Sequence, residues 1–269
     1  MAGKKDIFAT KEELENKYLE TKSIYKIAEF YNKNYKTIMS LMNDYGIKRI
    51  TGSQGARKHY YNDDYFKVID TENKAYWLGF LMADGCIYKG SNGNSLRLQI
   101  NLSRKDEVLL HQFQKNIGSD YKIQQKILKE KYEVSILKIN STAMCQDLIG
   151  YGITERKSLL CEFPEFLQNH YLTSHFIRGY FDGDGCINIS KRKDYDRAAY
   201  TFNIVGGKQM LETIQSYLPG TNLYILKKRS HIVTLESGKK DTILFIKDYL
   251  YKNANIYLQR KKDIFDAIK

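Results

Sequence analysis

The chain has 269 residues with 43 Lys and Arg against 31 Asp and Glu, a formal charge of +12 and a pI near 9.3; at roughly 100–200 residues per domain, one to three domains fit. This balance favours a polyanionic partner, nucleic acid ahead of a membrane surface, because no apolar run approaches the roughly 18 residues of a spanning helix and the start MAGKKDIFATKEELE lacks a signal-peptide core. Cys86, Cys145, Cys161 and Cys186 are widely spaced without a CxxC, which argues against a zinc finger or disulfide scaffold and for reduced buried thiols in an intracellular, cytoplasmic protein.

Residues 11–50 read as three short helices: KEELENKYLE, SIYKIAEFYNK and YKTIMSLMNDYG. Ser23 is placed to cap the second, where Ile24, Ile27, Ala28 and Tyr31 repeat at helical spacing. The third buries Ile38, Leu41, Met42 and Tyr45 and stops at Gly46. Tyr35, Lys36, Ser40 and Asn43 are left on a polar face near its start, the layout of a recognition helix. The pattern resembles the helix-turn-helix domains of bacterial recombinases and repressors; a plain three-helix packing unit is the alternative. Residues 51–72 are assigned to a basic linker without a core of its own. Lys48, Arg49, Arg57 and Lys58, in and beside it, either track phosphates or are simply solvated.

Beyond this segment the chain repeats itself. AYWLGFLMADGCIY, from Ala75, returns as HFIRGYFDGDGCINI, from His175, and the similarity continues through strand and helix patterns to the end of each copy. Each copy reads α-β-β-α-β-β-α, so the predicted fold is α+β with pseudo-twofold symmetry, repeat 1 over residues 73–160 and repeat 2 over 161–269. Gly79 and Ala83, like Gly179 and Gly183, lie four apart and share a helical face, where small residues let two helices approach closely. At the helix ends stand Asp84-Gly85 and Asp184-Gly185, the glycines expected in the left-handed conformation that ends a helix. Two carboxylates at paired helix C-termini face the negative ends of two macrodipoles and each other, an arrangement that calls for a hard cation, Mg²⁺ most naturally.

WLGFLMADG and IRGYFDGDG resemble the two motifs of single-chain LAGLIDADG homing endonucleases, and the resemblance covers residues 73–269. It implies a metal-dependent endonuclease making a double-strand break, with short 3′ overhangs, in a long asymmetric DNA target. Asp84 and Asp184 would be the catalytic metal-binding residues, with Gly85 and Gly185 beside them at the metal. Mg²⁺ would be the cofactor, Mn²⁺ a substitute, and Ca²⁺ a support for binding without cutting. A monomer, nucleoid-associated when bound and either free-standing or encoded in a mobile intron or intein, would need no protein partner and no membrane. The first copy has Met82 where the family has an inner Asp; the second keeps Asp182, which two residues from Asp184 points away from that site and is structural or solvated. Basic residues that the family carries near the scissile phosphates match Lys157 and Lys261, with Arg156 and Arg260 as weaker candidates. Each lysine polarises a water or offsets phosphate charge, or else caps a helix or lies on the surface.

Two antiparallel sheets would form a saddle over the duplex, with alternate strand residues facing DNA. The candidates are Arg97, Gln99, Asn101, Ser103 and Arg104 in the first copy and Lys191, Arg192, Arg197, Thr201 and Asn203 in the second, and a one-residue slip would exchange readers for core. A non-cleaving DNA-binding regulator and an RNA maturase on the same fold are the alternative functions. The five histidines, His59, His111, His170, His175 and His231, form no clustered ligand pattern.

Overall fold

The computed structural model describes residues 7–21, 23–47, 59–90, 95–154, 161–191, 198–225 and 232–268; at Lys191 only the backbone is described. The chain divides into two compact units, residues 1–62 with 118–121, and residues 63–117 with 122–269.

The first unit holds α1 (Lys11–Thr21), α2 (Ile24–Phe30) and α3 (Tyr35–Asp44). Ser23 caps α2 by accepting from the Lys26 amide, and Asn34 caps α3 by accepting from Lys36 at 2.9 Å. Gly46 follows α3 with φ +63°, a conformation that costs a glycine little. The core is Leu14, Tyr18, Ile24, Ile27, Ala28, Ile38, Leu41, Met42 and Ile47. Tyr31 and Tyr45, expected inside, only lean against it; Tyr45 Oη donates to the Ala9 carbonyl at 2.8 Å.

In the second unit the first copy runs α4 (Glu72–Asp84), β1 (Gly85–Lys89), β2 (Leu96–Ser103), α5 (Glu107–Ile117), β3 (Gln124–Leu128), β4 (Tyr132–Asn140) and α6 (Thr142–Gly150). The second runs α7 (Thr173–Asp184), β5 (Gly185–Lys191), β6 (Ala198–Gly207), α8 (Lys208–Tyr217), β7 (Asn222–Ile225), β8 (Ile232–Ser237) and α9 (Lys240–Tyr251), with an added helix α10 (Gln259–Asp266). The sheets have orders β1-β2-β4-β3 and β5-β6-β8-β7, antiparallel throughout, which is the predicted duplicated αββαββα architecture. Alternation sets their faces: Leu98, Ile100 and Leu102 on β2, and Phe202 and Ile204 on β6, point into the core.

The segment expected to be a coreless linker up to residue 72 is packed over its last part. Tyr65, Phe66 and Ile69 are buried, Phe66 faces Phe113 with ring centroids 6.3 Å apart, and the buried Asp63 carboxylate accepts from Ser141 Oγ at 2.5 Å. The aromatic and aliphatic residues among its polar neighbours supply apolar area that the second unit buries. Lys48, Arg49, Arg57 and Lys58 lie outside the described residues.

Candidate active site and nucleic-acid interface

Helices α4 and α7 meet along the face of small residues. A Cβ on Gly79 would overlap the Phe176 carbonyl oxygen and lie 2.9 Å from the Tyr180 amide; one on Gly179 would overlap the Tyr76 carbonyl oxygen and lie 2.9 Å from the Phe80 amide. The two glycines are thus reciprocal, each admitting the other helix's backbone. One helical turn on, a Cβ on Gly183 would collide with that of Ala83 and lie 3.6 Å from the Asp84 amide. The helices therefore stay in contact to their last residues, Asp84 and Asp184, and both aspartates are exposed there.

The glycines after them do not adopt the expected left-handed conformation. Gly85 has φ −72°, ψ 151° and Gly185 φ −97°, ψ 165°, so each helix passes straight into a strand. Close packing is what requires glycine. A Cβ at 85 would lie 2.7 Å from the Leu81 carbonyl oxygen and 2.9 Å from Leu81 Cδ2; one at 185 would lie 2.6 Å from the Phe181 carbonyl oxygen.

Behind the aspartates lies a buried polar network. Asp182 is 1 % exposed and accepts from Tyr76 Oη at 2.9 Å, Tyr251 Oη at 2.8 Å and the Leu258 amide at 2.7 Å. Burial pushes its carboxyl up, while Lys261 and these hydrogen bonds act the other way. It is a structural residue that ties α4 to the chain after α9, and Met82 occupies the matching place of the first copy as a buried apolar residue. Arg178, fully buried, donates to the carbonyls of Ile256 at 2.9 Å and Leu250 at 2.8 Å and to Glu72 Oε1 at 2.8 Å, so α7 is pinned to the first residue of α4. Burial works to raise the Glu72 carboxyl, but the Asn255 amides and Arg178 hold it below its ordinary value.

Lys261 is 2 % exposed, and its ammonium donates to the carbonyls of Phe181 at 2.6 Å, Asp182 at 2.9 Å and Gly185 at 2.5 Å. It sits as a cationic cap on the C-terminus of α7. Burial lowers its pKa to about 8, with Asp182 and Asp84 among the charges that oppose the shift. The Gly185 carbonyl is directed at this ammonium. Arg260 is exposed and pairs with Asp106 at 3.1 Å; Arg156 and Lys157 lie outside the described residues.

On β2, Arg97, Gln99, Asn101 and Ser103 lie on the outer face, as do Thr201 and Asn203 on β6. Arg104 falls just past β2, in a 3-10 turn, 3.7 Å from Glu133. Arg192 and Arg197 lie outside the described residues. Strand pairing adds outward residues that reading along the chain missed: Tyr88 opposite Arg97, Asn140 and Lys138 opposite Arg97 and Gln99, and in the second sheet Asn188 opposite Thr201 and Glu236 opposite Asn203. The alternation in VSILKIN was available, but its face follows only from the register with β2. In the first unit Lys36, Ser40 and Asn43 are exposed along α3, whereas Tyr35 is half-buried and stacked on Tyr25 with centroids 4.5 Å apart.

Two halves, each a sheet backed by helices and joined through helices that end in aspartate, define a duplicated fold with its candidate centre on the pseudo-twofold. Residues 177–269 match the family model described as LAGLIDADG endonuclease, and residues 71–150 match that of a LAGLIDADG-like domain. The chain belongs to the LAGLIDADG endonuclease family, in its two-motif form. Among solved structures, the LAGLIDADG homing endonuclease I-GzeII in complex with its DNA target is 14 % identical, with a TM-score of 0.53 over 71 % of this chain and 87 % of that one. The LAGLIDADG homing endonuclease I-LtrWI bound to target DNA is likewise 14 % identical, with a TM-score of 0.52 over 76 % of this chain and 91 % of that one. At this identity the likeness is one of fold. No curated protein matches the chain.

Proposed function

We propose that the protein is a site-specific homing endonuclease that cuts both strands of a long, asymmetric DNA target by divalent-metal-dependent hydrolysis, acting as a monomer. The observation that carries this is the pair of exposed carboxylates, Asp84 and Asp184, brought side by side by the interlocked small residues of α4 and α7. The donor set is all oxygen and suits a hard cation. Mg²⁺ is commonly held by one or two carboxylates, which two aspartates could supply, together with substrate phosphates.

Bound Mg²⁺, with Mn²⁺ as a substitute, would activate a water and neutralise charge on the phosphate. The chain's own part is positional. Asp84 and Asp184 would hold the cations, and Gly85 and Gly185 let each helix turn into the sheet that would lie beneath the DNA. Lys261 steadies the end of α7: with its three protons donated to carbonyls it positions the helix end rather than polarising a water. The outer faces of both sheets lie along the duplex, and residues 1–50 add a helix-turn-helix contact through Lys36, Ser40 and Asn43, joined by the basic stretch that follows.

The test is selection from a randomised duplex library, read for cleavage in Mg²⁺ and for binding in Ca²⁺. Asp84→Asn and Asp184→Asn should each abolish double-strand cutting while binding in Ca²⁺ survives. Full cleavage by either variant would remove the assigned metal site, and binding without cleavage by the native chain would favour a regulator.

A further inference from the structure

Antiparallel pairing aligns the two sheets position by position. Two residues past Asp84, Cys86 pairs with Gln99, which pairs with Lys138; two residues past Asp184, Cys186 pairs with Asn203, which pairs with Glu236. The rows are equivalent, because beside them Gly85 and Gly185 face Ile100 and Ile204, which in turn face Leu137 and Leu235. Ile100, Leu137, Ile204 and Leu235 are buried, whereas Gln99, Lys138, Asn203 and Glu236 reach solvent on the outer face. Gln99 and Asn203 are chemically alike. Lys138 and Glu236 carry opposite charge at the same place.

A carboxylate on a face turned to DNA is repelled by every phosphate, and tracking the backbone calls for Lys or Arg instead. What a carboxylate meets favourably in the major groove is the exocyclic amine of cytosine, while the partners of a lysine are guanine O6 and N7. Thr234 Oγ1 donates to Glu236 Oε1 at 3.1 Å and so orients the carboxylate along the sheet.

We propose that Lys138 and Glu236 are charge-exchanged base readers, Lys138 taking guanine in one half-site and Glu236 taking cytosine at the pseudo-symmetric position of the other. The inference rests on the endonuclease reading above and adds to it where, close to the cut, the target departs from a palindrome. Glu236 also acts by exclusion: a base offering only acceptors at that point would face its charge.

The experiment is selection in Ca²⁺ from a randomised duplex library by the full chain and by Glu236→Gln, Glu236→Lys and Lys138→Gln, with thermal melting as a check on folding. Each Glu236 variant should lower the preference for cytosine at one position by roughly 5- to 150-fold. Glu236→Lys should move it to guanine, and Lys138→Gln should alter the mirror position alone. Tighter binding of Glu236→Lys to all sequences equally, with every base preference kept, would overturn the inference by showing that the carboxylate faces phosphates. Unchanged preferences and affinity in all variants would overturn it as well while leaving the endonuclease reading intact. A native chain that selects no duplex would sink both.

Discussion

The helix pairing that aligns Asp84 with Asp184 can be tested through the sign of a single substitution. In an ordinary helix Gly→Ala stabilises by about 0.5–1 kcal/mol, because alanine has less backbone freedom to lose. At Gly179 the new methyl would overlap the Tyr76 carbonyl oxygen and lie 2.8 Å from Tyr76 C and 2.9 Å from the Phe80 amide. All three are backbone atoms, so no side chain can rotate away and the helices must separate. Overpacking of this kind costs about 1–3 kcal/mol, which outweighs the gain in propensity. Gly150, in the last turn of α6, has no atom of the described residues within 4 Å of where a Cβ would stand and lies outside the left-handed region, so Gly150→Ala should stabilise by about 0.5–1 kcal/mol. Urea unfolding of both variants should shift the midpoints in opposite directions at unchanged slope. Gly179→Ala should also slow cleavage more than it weakens binding in Ca²⁺, since it parts the ends that carry the aspartates. A Gly179→Ala protein as stable as the native chain, or more stable than Gly150→Ala, would refute the close helix contact.

Lys261→Met should destabilise by about 3 kcal/mol at neutral pH, because it removes a cation from a buried charged network and strips the cap from three carbonyls. It should also remove a pH dependence. The folded pKa of Lys261, about 8, lies below its ordinary 10.5, so between these values the unfolded chain binds more protons and the native protein gains stability as pH rises. Denaturation curves from pH 7 to 10.5 should show that gain in the native chain and not in the variant; equal slopes would disprove the assignment. In the first unit, Lys36→Ala should weaken DNA binding and flatten the slope of log K against log salt by roughly 0.9 for one lost phosphate contact. Identical affinity and slope would leave α3 a packing helix.

Much of the fold was legible because its causes are local. The duplication shows as matching nine-residue stretches; the helices show as apolar residues at helical spacing with Ser23 and Gly46 at their ends, and β2 shows as strict alternation from Leu96 to Ser103. The shared face of Gly79, Ala83, Gly179 and Gly183 could be placed from periodicity alone, since residues four apart must share a side of a helix. Asp84 and Asp184 followed as the points where those helices end.

What the tertiary structure decided depends on residues far apart in the chain. Lys261, in the basic run QRKK, was a candidate for the scissile phosphates, a helix cap or the surface; the return of α10 against the end of α7 buries it and gives its protons to carbonyls some 80 positions earlier. Asp182 could be structural or solvated from its position in the motif; the structure closes Tyr76, Tyr251 and Leu258 around it. The glycines after the aspartates carried a plausible local meaning, a left-handed cap, which was displaced by a steric one set by Leu81 and Phe181. Lys138 and Glu236 became equivalent only through strand register. Composition and periodicity act within a turn or a strand and determine which elements form, whereas burial, partner and charge environment are properties of the packed whole.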